Sequence, residues 1–204
     1  MARRLGPKHR LCRRLKERLC NTDKCPVARR PYPPGAHGPK QVRSKLTSFG
    51  IQLLEKQKAK YTYGLLERQF KNYVTSSMKK RGNTAELLLQ SLERRIDNLV
   101  FRSGFTKTRA QARQLVTHGH FLVNNKKVNI PSYQVRAGDV VTIRSKSVTG
   151  EIFKNLPEKL DKYEVPSWLL LDKEKLSAKV LELPKTDDVQ TMFDTKLIVE
   201  FYSR

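Results

Sequence analysis

His9, Cys12, Cys20 and Cys25 are the side chains best equipped for chemistry in this chain: one imidazole and the only three thiols, all near the N-terminus. Zinc takes four nitrogen or sulfur ligands in a tetrahedral structural site, and three cysteines with one histidine make an acceptable set. An odd number of cysteines argues against a disulfide framework and fits a reducing cytosol. Two alternatives stay open: a metal site that has decayed, and His37 in place of His9 as the fourth ligand.

A second group is cationic. Arg102, Lys107, Arg109 and Arg113 fall in a stretch with helical character, and Lys126 and Lys127 in a turn. Arg109 and Arg113 are four apart and share a helix face, with Lys107 just ahead of that helix. Such a row can straddle phosphates, since guanidinium groups bind phosphate oxygens in pairs. A solvated helix face with no partner is the alternative.

The charge behind these residues is large and uneven. The chain has 204 residues and a formal net charge of +23. Residues 1–50 hold 14 basic and 2 acidic side chains, residues 51–93 hold 8 and 4, and residues 94–157 hold 12 and 3. Residues 158–204 reverse the balance, with 8 basic and 10 acidic. Self-repulsion of this size calls for a polyanionic partner, with nucleic acid ahead of an anionic membrane surface. No run of apolar residues is long enough for a membrane span, and MARRLGPKHR has no apolar core after its charges, so no secretory signal is expected.

The elements that must position these groups follow from periodicity. Residues 1–45 are basic and rich in proline and glycine, and Arg29 to Pro39 cannot be helical. Such an arm has little to bury and must be ordered by metal or RNA. Helical periodicity starts near Lys45, with Phe49, Leu53, Leu54 and Tyr61 near one face, and Gly64 breaks it. Leu66, Phe70 and Val74 suggest a second helix. Asn83 or Thr84 caps a third, whose Leu88, Leu92, Ile96, Leu99 and Val100 run to Gly104. Thr108 caps a short helix through Val116, which Gly119 ends in a left-handed conformation. Phe121–Val123 and Val128 frame a tight turn at Asn124-Asn125. Val140–Ile143 and Ala178–Leu183 read as strands, Trp168–Leu171 is an apolar run, and Leu197–Tyr202 reads as a last strand or docking segment. The class is α+β.

The stretch from Thr108 through Arg109, Arg113, His118, Gly119 and His120 to Asn124, continuing to Pro131-Ser132-Tyr133, closely resembles the αL RNA-binding module named after bacterial ribosomal protein S4. The rest of the chain resembles that ribosomal protein family in order: Arg29-Arg30-Pro31-Tyr32-Pro33-Pro34-Gly35 with His37-Gly38, Glu55-Lys56-Gln57-Lys58, Tyr63-Gly64 with Glu67-Arg68-Gln69-Phe70, and Glu200-Phe201-Tyr202-Ser203-Arg204. One departure is Asn125, where the family often has glycine.

The resemblance implies an α+β chain: a helical domain with an inserted αL-type module, preceded by a basic arm with a candidate zinc site. The implied domains are the arm at 1–45, the helical domain at 46–93 completed by 185–204, the module at 94–157, and a connecting segment at 158–184 that packs on the module. Some family members carry four cysteines in the arm as a zinc site. Cys12, Cys20 and Cys25 fit the last three of those positions, and His9 stands at the first. One structural zinc is therefore implied, and His37, in a turn that metal-free members also have, is given to RNA.

The residues expected to face RNA are, in the arm, Arg3, Arg4, Lys8, Arg10, Arg13, Arg14, Arg29, Arg30, Tyr32, His37, Lys40, Arg43 and Lys45. The helical domain adds Lys56, Lys58, Arg68 and Lys71. The module adds Arg102, Lys107, Thr108, Arg109, Arg113, His118, His120, Lys126 and Lys127. The implied function is a structural, non-enzymatic one in the cytoplasmic small ribosomal subunit. The implied partners are 16S rRNA, bound in its 5′ domain early in assembly, neighbouring proteins such as S5, and mRNA along its path into the ribosome; no membrane is implied. A contribution to decoding accuracy and repression of its own mRNA are further roles found in the family.

Two other classes compete. An RNA-modifying enzyme such as a pseudouridine synthase needs an aspartate in an Arg-Leu-Asp motif within a large β-rich domain. Here Arg95-Ile96-Asp97 lies on the helix leading into the module, and residues 158–204 are too few for such a domain. No Walker-type phosphate loop is present. A stand-alone RNA-binding regulator would share the module but has no need of the arm and helical domain.

Overall fold

The structure, a computed structural model, describes residues 6–20, 22, 24–39, 46–148, 150–160, 163–186, 188–189 and 191–203. The chain forms two compact units, residues 1–88 with 191–204 and residues 89–190.

The first unit is helical. Helix α1 (Lys8–Leu15) stops where Lys16 turns left-handed, and α2 (Ser48–Thr62) starts on Thr47, whose hydroxyl accepts the Gly50 N–H. Gly64, at φ +64°, ends α2 and lets the Leu65 N–H reach the Lys60 carbonyl. Helix α3 (Glu67–Met78) follows, and Asn83 caps α4 (Thr84–Glu93) through the Ala85 N–H. The unit is completed by α9 (Thr195–Ser203), which packs along α2.

The α2–α9 seam decides between the two readings of the C-terminal segment and corrects the expected face of α2. The C-terminal segment is a helix, because Asp194 accepts the Lys196 N–H at its start and Ile198 turns into the core. A β-branched pair at 198–199 imitates a strand in sequence; docking on α2 overrides it. The buried face of α2 is also not the apolar one. Phe49 stays 48% exposed while Gln52, Lys56, Ala59 and Lys60 are buried. Lysine stems cover apolar neighbours, and their ammoniums find a carboxylate at the end. Ring pairs Phe49–Phe201, Tyr63–Phe193 and Phe70–Tyr202 fill the remaining contacts.

The second unit surrounds a five-stranded antiparallel sheet ordered β2-β1-β3-β5-β4. After α4 come α5 (Ile96–Arg102), α6 (Arg109–Thr117), β1 (Phe121–Val123), β2 (Lys126–Val128) and β3 (Val140–Ile143). Then follow α7 (Ser145–Val148), α8 (Leu156–Leu160), β4 (Leu169–Asp172) and β5 (Ser177–Val180). The core joins Leu99, Val100, Ala112 and Val116 of the helices to Phe121, Val141, Leu160, Trp168 and Ala178.

The single helix expected from Leu88 to Gly104 is broken at Arg94-Arg95. Arg95 is extended and bridges Gln134; Ile96 donates to the Tyr133 carbonyl and Val135 to that of Arg94. Those bonds replace the helical ones, so an apolar period runs on across the break. The β1–β2 turn has the expected left-handed pair, Asn124 at φ 49° and Asn125 at φ 63°. Asn124 also ties two turns together: its Nδ2 donates to Asp139 and its Oδ1 accepts the Val140 N–H.

Candidate nucleic-acid interface and metal centre

Helix α1 places His9 and Cys12 three residues apart on one face, and the left-handed turn at Lys16 brings the chain back over it. Cys20 and Cys25 arrive from the following loop, where the Cys25 N–H donates to the Thr22 carbonyl. The ligand atoms of His9, Cys12, Cys20 and Cys25 all lie within 4.8 Å of one another. Two thiolates on one tetrahedral zinc stand about 3.8 Å apart, given Zn–S bonds near 2.3 Å. The donor set therefore fits such an ion in number, type and spacing. His9 Nδ1 is 3.8 Å from the Cys20 sulfur. His37 is exposed and outside the cluster.

The thiols differ in acidity. Burial would raise Cys20, but hydrogen bonds from the Thr22 hydroxyl and backbone, and from Cys25 and Cys12, outweigh it and bring the thiol to about 6. Burial pushes Cys12 up to about 12, with the hydrogen bond and negative charge of Cys20 adding to it. One sulfur is thus ready as a thiolate, the form that binds metal.

The proline-rich turn is fixed to α1 by Arg13. Its Nε donates to the Tyr32 carbonyl at 3.1 Å, its Nη2 to that of Pro33 at 3.2 Å, and its guanidinium lies over the Tyr32 ring. Gly38 must be glycine, since a Cβ there would sit 2.0 Å from the Pro33 carbonyl oxygen. Arg13 is therefore a structural strut, and one face of Tyr32 is covered. Lys8, Arg10, Arg14, Arg29, Arg30 and His37 are exposed around this arm. Arg3, Arg4, Lys40, Arg43 and Lys45 lie outside the described residues.

In the helical unit the expected cations divide. Arg68 and Lys71 are exposed. Lys58 is 2.9 Å from Glu55 and 3.7 Å from Glu17. Lys56 is buried and ends 2.8 Å from Glu67, which Lys60 meets at the same distance from the other side. Burial would raise the Glu67 carboxyl, but hydrogen bonds from Lys56, Lys60 and Tyr202 hold it near 2.

The module divides its cations the same way. Arg113 is buried, with Nη1 3.8 Å from Asp97. That carboxylate is already gripped by Arg95, through Nε at 3.0 Å and Nη2 at 2.6 Å. Arg102 is bound in two-point fashion by Glu93, which is fully buried and also accepts from Asn98. Asn98 Oδ1 in turn accepts from Arg109 Nε at 2.7 Å, and the Arg109 guanidinium lies over Phe101. Glu93 and Asn98, which hold Arg102 and Arg109, are the residues that spacing missed, because the chain bend between them hides their meeting.

Thr108 caps α6 through the Gln111 N–H, so its hydroxyl is committed to the helix start. Lys107, His118, Lys126 and Lys127 are exposed. Gly119, at φ +74°, leaves room for Lys127 to cross it; a Cβ there would meet Lys127 Cε at 2.3 Å. The hairpin lysine and the end of α6 therefore share one surface. His120 bonds Ser147 through Nδ1, and burial, with His118 and Arg144 nearby, lowers its basicity.

Comparison with known families adds sequence evidence to this geometry. The "Ribosomal protein S4/S9 N-terminal domain" model matches residues 3–93, and the "S4 domain" model matches residues 94–141. A "Small ribosomal subunit protein uS4A" of Symbiobacterium thermophilum is 51% identical, with 100% of both chains covered. The chain belongs to the uS4 ribosomal protein family. The uS4 proteins of Roseiflexus castenholzii, at 48%, and Thermotoga maritima, at 49%, are likewise matched over their full length. Within the uS4 frame, the N-terminal match carries the four candidate metal ligands and α1–α4, and the S4-domain match carries α5, α6, β1, β2 and the start of β3.

Proposed function

We propose that this chain is a structural constituent of the small ribosomal subunit that binds 16S rRNA directly and early and organises its 5′ domain. The observation that carries the reading is the division of its cations. With Lys56, Arg95, Arg102 and Arg113 held by carboxylates, exposed Lys107, Lys126 and Lys127 remain on the module, and Arg10, Arg29 and Arg30 on the arm. Phosphate contacts from such groups position a protein on RNA, and the shape of a folded junction supplies selectivity. The printed names of the full-length relatives support the same assignment.

Finer parts of the reading rest on family resemblance. A single structural zinc on His9, Cys12, Cys20 and Cys25 would clamp the arm by drawing donors from α1 and the following loop onto one centre; the four donors meet its geometry. Protein S5, the incoming mRNA, decoding accuracy and repression of the chain's own message are the further partners and roles. The division of labour by segment is an arm at 1–45, an RNA module at 94–157 inserted in the helical domain, and 158–184 as its support. No turnover is included: Asp97, the residue an Arg-x-Asp enzyme would use, is spent on Arg95.

The test is a filter-binding titration of the full-length protein against 16S rRNA with excess tRNA as competitor. The reading expects the ribosomal RNA to be retained at tRNA excess. Equal competition by tRNA would remove specific rRNA recognition.

A further inference from the structure

Beside the metal-ligand cluster lies a pocket of about 440 Å³, walled by Pro26 and Pro34, by His9 and by four arginines. That volume is in the range of small-molecule sites. Arg13 is committed to the Tyr32 and Pro33 carbonyls and holds the proline turn across α1. Arg10, Arg29 and Arg30 are exposed and, among the described residues, form no ion pair. The Arg29 and Arg30 N–H groups both donate to the Pro26 carbonyl, which fixes this wall. Apolar proline rings beside several guanidiniums suit one ligand chemistry: a base, which guanidinium planes can stack, with a phosphate attached.

We propose that this pocket is a single-nucleotide site, seating an unpaired base against Pro26 and Pro34 with its phosphate on Arg10, Arg29 and Arg30. A base inside a duplex is stacked on both faces and cannot enter. The pocket hangs from the metal ligands: Cys12 lies between Arg10 and Arg13, Cys25 precedes Pro26, and His9 belongs to both sets. Metal loading therefore fixes the walls, and nucleotide affinity depends on it. The inference rests on the RNA reading only for the source of the nucleotide. An extruded RNA residue and a free nucleotide offer the same groups.

The test is equilibrium dialysis of full-length, zinc-loaded protein with adenosine 5′-monophosphate, with adenosine, inorganic phosphate and a single-stranded adenosine hexanucleotide as competitors. Saturable binding is expected, about tenfold or more weaker in Arg29→Ala, Arg30→Ala and after chelation, and unchanged in Lys175→Ala, Lys185→Ala. Zinc content and far-UV circular dichroism of the arginine variant separate loss of the site from loss of the arm. Tighter competition by the hexanucleotide assigns the site to an RNA strand, and tighter binding of the mononucleotide to a free ligand. Phosphate competing as well as the nucleotide, or no effect of the arginine changes, overturns the proposal. Parallel titration with 16S rRNA keeps the two readings apart: rRNA binding without nucleotide binding removes the pocket alone.

Discussion

Glu67 shows what a single residue does in a chain this basic. Two lysines from α2 and the Tyr202 hydroxyl converge on one carboxylate, at 2.8 Å each. The site stays partly open to water, so its stabilisation is discounted for screening. Its sign is clear. A carboxyl held near 2 in the folded chain and in the usual range when unfolded stabilises the fold fully above about pH 4.5. That contribution is lost as pH falls toward 2. Thermal unfolding between pH 6 and 2.5 should show a decline that Glu67→Gln makes shallower, with a lower melting temperature at pH 6. A pH profile unaltered by the substitution would show that other carboxylates carry the effect. The same arrangement explains why the structural role of Lys56 was not legible in sequence. Lys56 and Glu67 sit on different helices, joined across the Gly64 turn. Their pairing is a fact of packing, which residue type and helical spacing do not contain. Arg113 and Asp97 repeat the lesson sixteen positions apart.

At the scale of elements, the most legible pieces were those whose signals are local. The Thr108 cap, the Gly119 stop and the Asn124-Asn125 turn stand where residue chemistry places them, because each depends on one or two backbone angles. The break at Arg95 and the helix at Thr195–Ser203 depend on distant strands and helices; local periodicity ran through the first and left the second open between a strand and a docking segment. The arm lies between these cases. Residue types offered the donors and the resemblance chose His9 over His37, while the left-handed Lys16 turns the chain back so that the donors lie within 4.8 Å of one another. An arm with so small an apolar cluster (Cys12, Cys25 and Val27, with Leu19 and Cys20 against them) would gain much of its order from a bound ion. Purified protein should contain one zinc per chain, and Cys20→Ser, Cys25→Ser should lose it together with protease resistance before residue 46. Metal-free wild-type protein with an equally resistant arm would end the zinc assignment.

The whole molecule is a device for keeping some cations and exposing others. The 42 lysine and arginine side chains do not all face a partner, and the fold pairs some of them internally with Glu67, Glu93 and Asp97. Total charge was legible at once; the fraction left for RNA was not, because it is what remains after tertiary pairing. Binding to polyanionic RNA releases counterions, so the logarithm of affinity falls with the logarithm of salt concentration in proportion to the phosphates neutralised. The decisive measurement is that slope for the 5′ domain of 16S rRNA, in wild type and in Lys126→Ala, Lys127→Ala. The account predicts a slope shallower by about 1.4 in the variant, about 0.7 for each phosphate left without its lysine, with folding unaffected and Lys175→Ala, Lys185→Ala matching wild type. A hairpin variant with wild-type slope and affinity would contradict it.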